Sequence, residues 1–499
     1  MNQTNSLLLK RLGIDTYKEA VVYTRSDCNI CRAEGFKAHA RVKVTLKEKS
    51  IIATLNTINS NLLGCNEAGL SEQAMYLLNA KEDDYITISH PKPINSLSHL
   101  RTKIYGNKLS KIQIAEIIQD ITAGYYSDIH ISSFLTACAG GRMDIDETVY
   151  LTEAMVAVGN KLTWDAKIVV DKHCVGGLPG NRTTPIIVAI VTAFGLTMPK
   201  TSSRAITSPA GTADTMEVFT NVELDLKQIR DVVKKENGCI IWGGSISLSP
   251  ADDLLILVEK SLDLDSEAQL VASILSKKIA AGSNHVLIDI PIGPTAKVRS
   301  KENAEILKNC LETVGQKLGI IVKVIFSDGM EPVGRGIGPS LEAEDIIAVL
   351  QNKDNAPKDL EERALTLAGH IIEFSSQVNI GDGQKIAKDI LKSGKAWEKF
   401  KAICEAQGGM KEIYQANYTH DHLAKKSGVI SEIDNRRLAL IAKLAGAPTN
   451  KVAGIYLNVH IGNNIKKNDV LFTIHAGSKG EMEYALNYLN EGNEVIKIS

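Results

Sequence analysis

From Lys167 to Leu196 the chain reads KIVVDKHCVGGLPGNRTTPIIVAIVTAFGL. A short β-branched run ends at Val170, a loop with Gly176, Gly177 and Gly180 follows, and the longest apolar stretch of the sequence fills Pro185 to Leu196. That stretch is too short for a bilayer, which needs about 20 apolar residues. It predicts a buried helix. A strand that feeds such a helix through a Gly-rich loop implies an α/β sheet with both faces covered and with ligand loops at the carboxyl ends of its strands. The loop is neither a Walker loop nor a dinucleotide fingerprint. The same grammar returns in LTMPKTSS before RAITSPAGTADTMEVF, in GCIIWGGS and in NHVLIDIPIG.

At 499 residues the chain has material for two to four domains. Residues 1–94 alternate β-branched runs (EAVVYT, ARVKVTL, SIIATLNTI, DYITISH) with turn signals and predict a small β-rich domain. The two prolines of HPKPINSLSHLR mark its end. Over 95–164 apolar residues recur at three and four, and Ser110, Ser127 and Asp144 stand where N-caps would, so a helical subdomain is expected. An α/β domain over 165–400 follows, then a small α+β domain over 425–499. The expected class is therefore α/β and multi-domain, with a mixed α/β sheet domain beside the helical one.

Hydrophobic residues make 44% of the chain, charged ones 23%, and the formal net charge is −1. No global field favours nucleic acid or an anionic membrane, so an anionic small ligand must be held locally. The N-terminal residues lack a sustained apolar core and a small-residue cleavage pattern, so no signal peptide is expected and a cytoplasmic location is. Eight scattered cysteines agree with reduced thiols. Cys28 and Cys31 form a CxxC, but a zinc site takes about four ligands. No second pair follows, so they read as structural thiols and no metal site is expected.

Three segments carry candidate chemistry. In the first loop, glycines let backbone N–H groups approach an anion, the next helix points its positive end at the loop, and Lys172 adds a full charge. A plain strand-to-helix turn with capping threonines is the competing reading. The second loop, KTSSRAITSPAGT, gathers Thr201, Ser202, Ser203, Thr207, Ser208 and Thr212 beside Lys200 and Arg204. Two cation- and hydroxyl-rich strand–loop–helix units point to an oxyanion site more firmly than either alone. In the third segment, SEAQLVASILSKKIAAG, Ser273, Ser276, Lys277 and Ala280 lie on adjacent turns of one helix face. Such groups suit the edge of a heteroaromatic base, although a solvent-facing polar stripe would look the same.

In this order, KHCVGG, SSRAITSPAGT and ASILSKK resemble the pyrimidine nucleoside phosphorylase family of thymidine phosphorylases. Bacterial members of that family carry a Lys-His-Ser-Thr-Gly-Gly loop, a Ser-Gly-Arg loop ending in Gly-Thr, and an Ala-Ser-Ile-Leu-x-Lys-Lys helix. FLTACAGGRMDIDETVYLTEAM likewise resembles the family's helical domain, and the likeness runs over about residues 96–490. LPGNR and TSSRAITS look more like the long-chain branch that includes archaeal AMP phosphorylases.

The resemblance implies phosphorolysis of a nucleoside, with inorganic phosphate as co-substrate, no metal or organic cofactor, and a homodimer or higher homo-oligomer. It implies phosphate binding by Lys172, Ser202, Thr212 and Thr184, with Arg204 in support. Cys174 stands at the place of a phosphate-binding serine. For a nucleotide substrate, Gly177 and the run Ser203, Thr207 and Ser208 would meet the substrate's own phosphate. His173 matches the histidine that protonates or hydrogen-bonds the leaving base. Asp265 matches the proton donor of the AMP branch, although it could equally cap the following helix. Ser273 and Lys277 match base-binding positions, and Lys297 a further position of the AMP branch. One departure stands out: the family's base-binding arginine is replaced by Val258, which leaves thymidine, uridine and AMP open as substrates. An anthranilate phosphoribosyltransferase-like enzyme shares the architecture, but KHCVGGLPGNR offers no acidic Mg²⁺–diphosphate residues nearby.

Overall fold

The computed structural model describes residues 6–205, 208–262, 264, 266–491 and 494–499. It divides into two compact units, Met1–Val158 with Pro250–Leu270, and Gly159–Ser249 with Val271–Ser499.

The first unit opens with a closed barrel of β1 (Leu7–Arg11), β2 (Val21–Arg25), β3 (Arg41–Leu46), β4 (Lys49–Ile58), β5 (Glu67–Leu70) and β6 (Tyr85–Ser89) in the order β1-β5-β2-β4-β3-β6. Side chains alternate as strand geometry requires: Val42, Val44 and Leu46 of β3 and Ile86 and Ile88 of β6 point into the barrel core. Two short helices, α1 (Asn29–Ala33) and α2 (Glu72–Leu78), interrupt the strands. Cys28 and Cys31 are both buried in this core, with Cys31 Sγ 3.2 Å from Thr24 Oγ1.

Four helices follow, α3 (Leu97–Ile104), α4 (Lys111–Thr122), α5 (Asp128–Cys138) and α6 (Ile145–Ala157). Ser110 and Asp144 cap α4 and α6 by accepting from Gln113 N and Glu147 N. Each cap satisfies an N–H that the helix itself leaves unpaired.

The second unit is built on parallel strands. β7 (Val170–Cys174) precedes α7 (Thr183–Phe194), β8 (Met198–Ser202) precedes α8 (Thr212–Phe219), and α9 (Leu226–Glu236) leads to β9 (Gly238–Trp242). The apolar stretch of the sequence forms α7, which is buried from Thr183 through Thr192 at the centre of the largest hydrophobic core.

One segment within the 165–400 span groups with the first unit. Helix α10 (Pro250–Leu262) packs on α4 and α5 and belongs to the first unit. Its apolar positions Leu255 and Val258 are buried there, and amphipathic spacing alone does not reveal which layer covers a helix. Helix α11 (Glu267–Ala280) belongs to the second unit from Val271 onward.

Strands β10 (His285–Ile292) and β11 (Ile321–Asp328), separated by α12 (Lys301–Lys317), complete a sheet ordered β11-β10-β7. The pair β8-β9 is joined beside β7 by a parallel bridge between Val169 and Thr197. Helices α13 (Pro339–Leu350) and α14 (Lys358–Ile372) pack against α7. The C-terminal part carries strands Tyr418–Leu423, Gly428–Ile433, Gly454–Leu457 and Val470–Ala476 with helices Asn435–Leu444 and Lys479–Asn490 around their own core. Among the described residues no helix is long and apolar enough to cross a membrane.

Candidate active site

The carboxyl end of β7 delivers Asp171, Lys172, His173 and Cys174 in succession. Strand side chains alternate, so Lys172 and Cys174 share one face of the sheet and Asp171 and His173 the other. Lys172 is 1% exposed, and its Nζ donates to Thr183 Oγ1 at 3.0 Å. Among the described residues its ammonium forms no ion pair. A buried charge without a counter-ion is costly, so an incoming anion would complete this site. The helix N-terminus beside it makes the same demand: Arg182, at the cap of α7, gives no side-chain cap bond, which leaves first-turn N–H groups turned toward the loop.

Asn181 Nδ2 donates to Cys174 Sγ at 3.4 Å. Burial and the neighbouring Asp289 carboxylate push the Cys174 thiol up to about 11, so it is a neutral thiol at physiological pH. Gly177 has φ +95°, and a Cβ there would stand 2.4 Å from the backbone N of Lys297. Glycine is what lets the loop after β7 lie against the loop after β10. Lys297 itself is exposed.

On the opposite face, Asp171 takes Lys200 Nζ at 3.0 Å on one oxygen and Lys278 Nζ at 2.8 Å on the other. Lys200 Nζ also donates to the Lys172 carbonyl at 2.7 Å. Burial, then the charges of Lys278, Lys200, Lys277 and Lys172, hold His173 well below the usual histidine range. The ring is a neutral imidazole, which can donate one N–H but carries no excess proton.

The second loop is stiffened from within. Gly211 lies so close to the chain that a Cβ would meet Ser203 O at 2.5 Å. Asp214 Oδ2 accepts from the N–H groups of Ala205 and Gly211 at 2.7 and 2.9 Å. The Arg204 guanidinium bonds to Glu217 and Glu223 at 2.8 Å and packs over the Trp242 ring. Arg204 thus braces the loop, and its fork is already taken by carboxylates. Ser208 Oγ donates to Ala210 O at 2.9 Å, so its hydroxyl is also turned to the loop. Ser203 is exposed. Ser202 Oγ is the contrasting case: it is buried and has no hydrogen-bond partner among the described residues. Thr207 and Asp265 lie outside the described residues.

Arg182 ties the two loops together. Its guanidinium donates to Glu342 at 2.6 and 3.2 Å, to Ala210 O at 2.9 Å and to Thr212 Oγ1 at 3.4 Å. Glu342 on α13 has a fully buried side chain and also accepts from Thr215 Oγ1. Thr184 is buried beside Thr183 in the first turn of α7. On α11, Lys277 Nζ donates to Ser273 Oγ at 3.1 Å. Val258 is buried on α10 in the first unit.

The second unit therefore brings Lys172, His173, Cys174, Thr184, Ser202, Thr212, Ser273 and Lys277 to the carboxyl ends of β7 and β8 and the adjoining face of α11. Asp171, Arg182, Lys278 and Glu342 are the residues that sequence reasoning passed over. Only Asp171 left a trace there, as the acid that directly follows the apolar run Ile168–Val170.

Loops at strand ends that frame a buried lysine, in a chain that also carries a helical bundle, agree with the glycosyl transferase family that pairs these two domains. Residues 97–159 match the helical bundle domain of the glycosyl transferase family and residues 166–397 its a/b domain. Residues 429–496 match the pyrimidine nucleoside phosphorylase C-terminal domain. A Legionella pneumophila (strain Corby) protein named "Putative thymidine phosphorylase" is 58% identical over 99% of this chain and 95% of its own length. A Polaromonas protein of the same name is 55% identical over 99% of this chain and 97% of its own. The chain belongs to the pyrimidine nucleoside phosphorylase family. The anthranilate phosphoribosyltransferase of Thermus thermophilus shares the fold, with TM-score 0.51 and 17% identity over 62% of this chain and 98% of that one.

Proposed function

We propose that the protein is a pentosyltransferase of the thymidine phosphorylase type, converting a pyrimidine (deoxy)nucleoside and inorganic phosphate to the free base and (2-deoxy)ribose 1-phosphate. The observation that carries this reading is the buried Lys172 ammonium, which lacks a carboxylate partner among the described residues, together with the buried Ser202 hydroxyl at the end of β8, which has no hydrogen-bond partner among them. Phosphate held by these groups and by the N-terminus of α7 would be the nucleophile at C1′ of the sugar. Holding both reactants in register removes much of the entropic barrier. As the glycosidic bond breaks, negative charge grows on the base, and fixed donors aimed at that charge lower the barrier. His173 supplies an N–H of a neutral ring, and Ser273 and Lys277 supply a hydroxyl and an ammonium. The reading needs no metal and no organic cofactor. It includes self-association of the chain and a cytoplasmic location.

The test is base release from thymidine, uridine, cytidine, AMP and CMP with and without phosphate. Phosphate-dependent release from a pyrimidine nucleoside is expected. Release from AMP alone would move the substrate to nucleotides, and no release from any of them would overturn the reading.

A further inference from the structure

Three charged side chains at the amino side of the site take no part in the chemistry just described. Asp171, Lys200 and Lys278 all have nearly fully buried side chains. We propose that these three form a positioning triad, fixing the helix face that carries Ser273 and Lys277 against the strand that carries Lys172 and His173. The inference rests on the pentosyltransferase reading for its kinetic consequences, but not for its geometry.

The connections run through three elements. Lys278 reaches Asp171 from α11 at 2.8 Å, next in sequence to Lys277 and little more than a helical turn past Ser273. Lys200 reaches Asp171 from β8 at 3.0 Å, two residues before Ser202. The same Nζ holds the Lys172 carbonyl at 2.7 Å, which fixes the backbone from which the anion-accepting side chain departs. Each arm of the site is therefore pinned to one carboxylate.

Apolar side chains would join strands and a helix more cheaply, because taking ions out of water is costly before their attraction is counted. What an apolar trio would lack is charge and the hydrogen bonds that Lys200 Nζ donates to Asp171 and to the Lys172 carbonyl. Burial pushes Lys278 down to about 7 against the pull of Asp171, with the Lys200 charge adding to the fall, so two lysines on one carboxylate leave a surplus positive charge under the site, in addition to Lys172, while Lys278 holds its proton. That surplus suits a phosphate anion and the anion of a departing base.

The charged groups around His173 are Lys277 and Lys278 on α11, Lys200 on β8, and Asp171 and Lys172 on its own strand. Asp289 of β10 and Arg363 of α14 act on the adjoining Cys174. Removing Lys278 deletes the charge that weighs most on the ring, so the histidine becomes easier to protonate.

Lys278→Met and Lys278→Arg test the triad in the full-length protein. The readouts are thermal melting, steady-state phosphorolysis, inorganic phosphate binding by calorimetry, and NMR titration of isotope-labelled histidine with His173→Asn as the assignment control. Lys278→Met is expected to fold, to lose 10-fold or more in kcat/KM for the nucleoside, and to shift His173 titration and the acid limb of the rate profile upward. Lys278→Arg is expected to recover most of the loss. Unchanged kinetics and titration in Lys278→Met would overturn the proposal, as would a loss that Lys278→Arg does not relieve. If Lys278→Met fails to fold, Lys200→Met carries the same expectations. If the wild type releases no base, the pentosyltransferase reading fails; the His173 titration and phosphate binding still decide the triad.

Discussion

Lys172 and Cys174 sit two residues apart on one strand face and have opposite electrostatic character. The ammonium of Lys172 is buried without a carboxylate partner among the described residues, so Lys172→Ala would remove the main positive charge of the proposed phosphate site. Loss of one preorganised charge-stabilising group costs about 10²–10³-fold in turnover, and a fall of at least that size is expected with circular dichroism unchanged. Near-normal turnover would remove Lys172 from the phosphate site. Cys174 is a neutral thiol whose acidity is suppressed by burial and by Asp289. It can neither compete with phosphate as a nucleophile nor repel it as a thiolate. Cys174→Ser should therefore keep activity or lower the KM for phosphate, since a hydroxyl is the better donor. Loss of activity in that variant would point to covalent chemistry instead.

At the scale of elements, the two loops owe their shape to ion pairs. Arg182 links the loop after β7 to the loop before α8 through Glu342, 160 residues away. Breaking a buried pair by removing one partner costs about 3–5 kcal/mol, so Glu342→Gln should lower the melting temperature and raise the phosphate KM together. A stable variant with normal KM would show that the loops hold their shape without the pair. Glu217 offers a pH test. The Arg204 guanidinium, helped by Lys451, holds its carboxyl down at about 2 against an ordinary 4.5. A carboxylate with a depressed folded-state pKa stabilises the fold above its unfolded value, and that contribution is lost as pH falls through the folded value. The stability gap between wild type and Glu217→Gln, followed by thermal melts, should be full above about pH 4.5 and close near pH 2. A gap that does not change with pH would mean that the Arg204 pair contributes nothing.

Across the whole molecule, what could be read from sequence was whatever is local in sequence. The Gly-rich loop, the hydroxyl-rich loop and the helix with Ser273 and Lys277 each announce themselves within some fifteen residues, because strand–loop–helix chemistry is written at adjacent positions. Asp171 with Lys278, and Arg182 with Glu342, join elements far apart in the chain, and no local pattern encodes such a meeting. Arg204 marks the same limit from the other side. Its loop position suits an anion, yet Glu217 and Glu223, both farther along the chain, claim the guanidinium. The neutrality of His173 is equally hidden, because it follows first from burial and then from lysines on β8 and α11 as well as its neighbour.

The return of α10 to the first unit has a consequence for how the chain is made. Synthesis delivers the barrel and α3–α6 first, but α10, which packs on α4 and α5, arrives only after β7, β8 and β9 have emerged. The helical part of the first unit therefore cannot close its core while it is the only part present. It waits with an apolar surface bare through roughly a hundred further residues of translation, several seconds at about 5–20 residues per second. A nascent chain stopped before Pro250 should be the form that chaperones and proteases find.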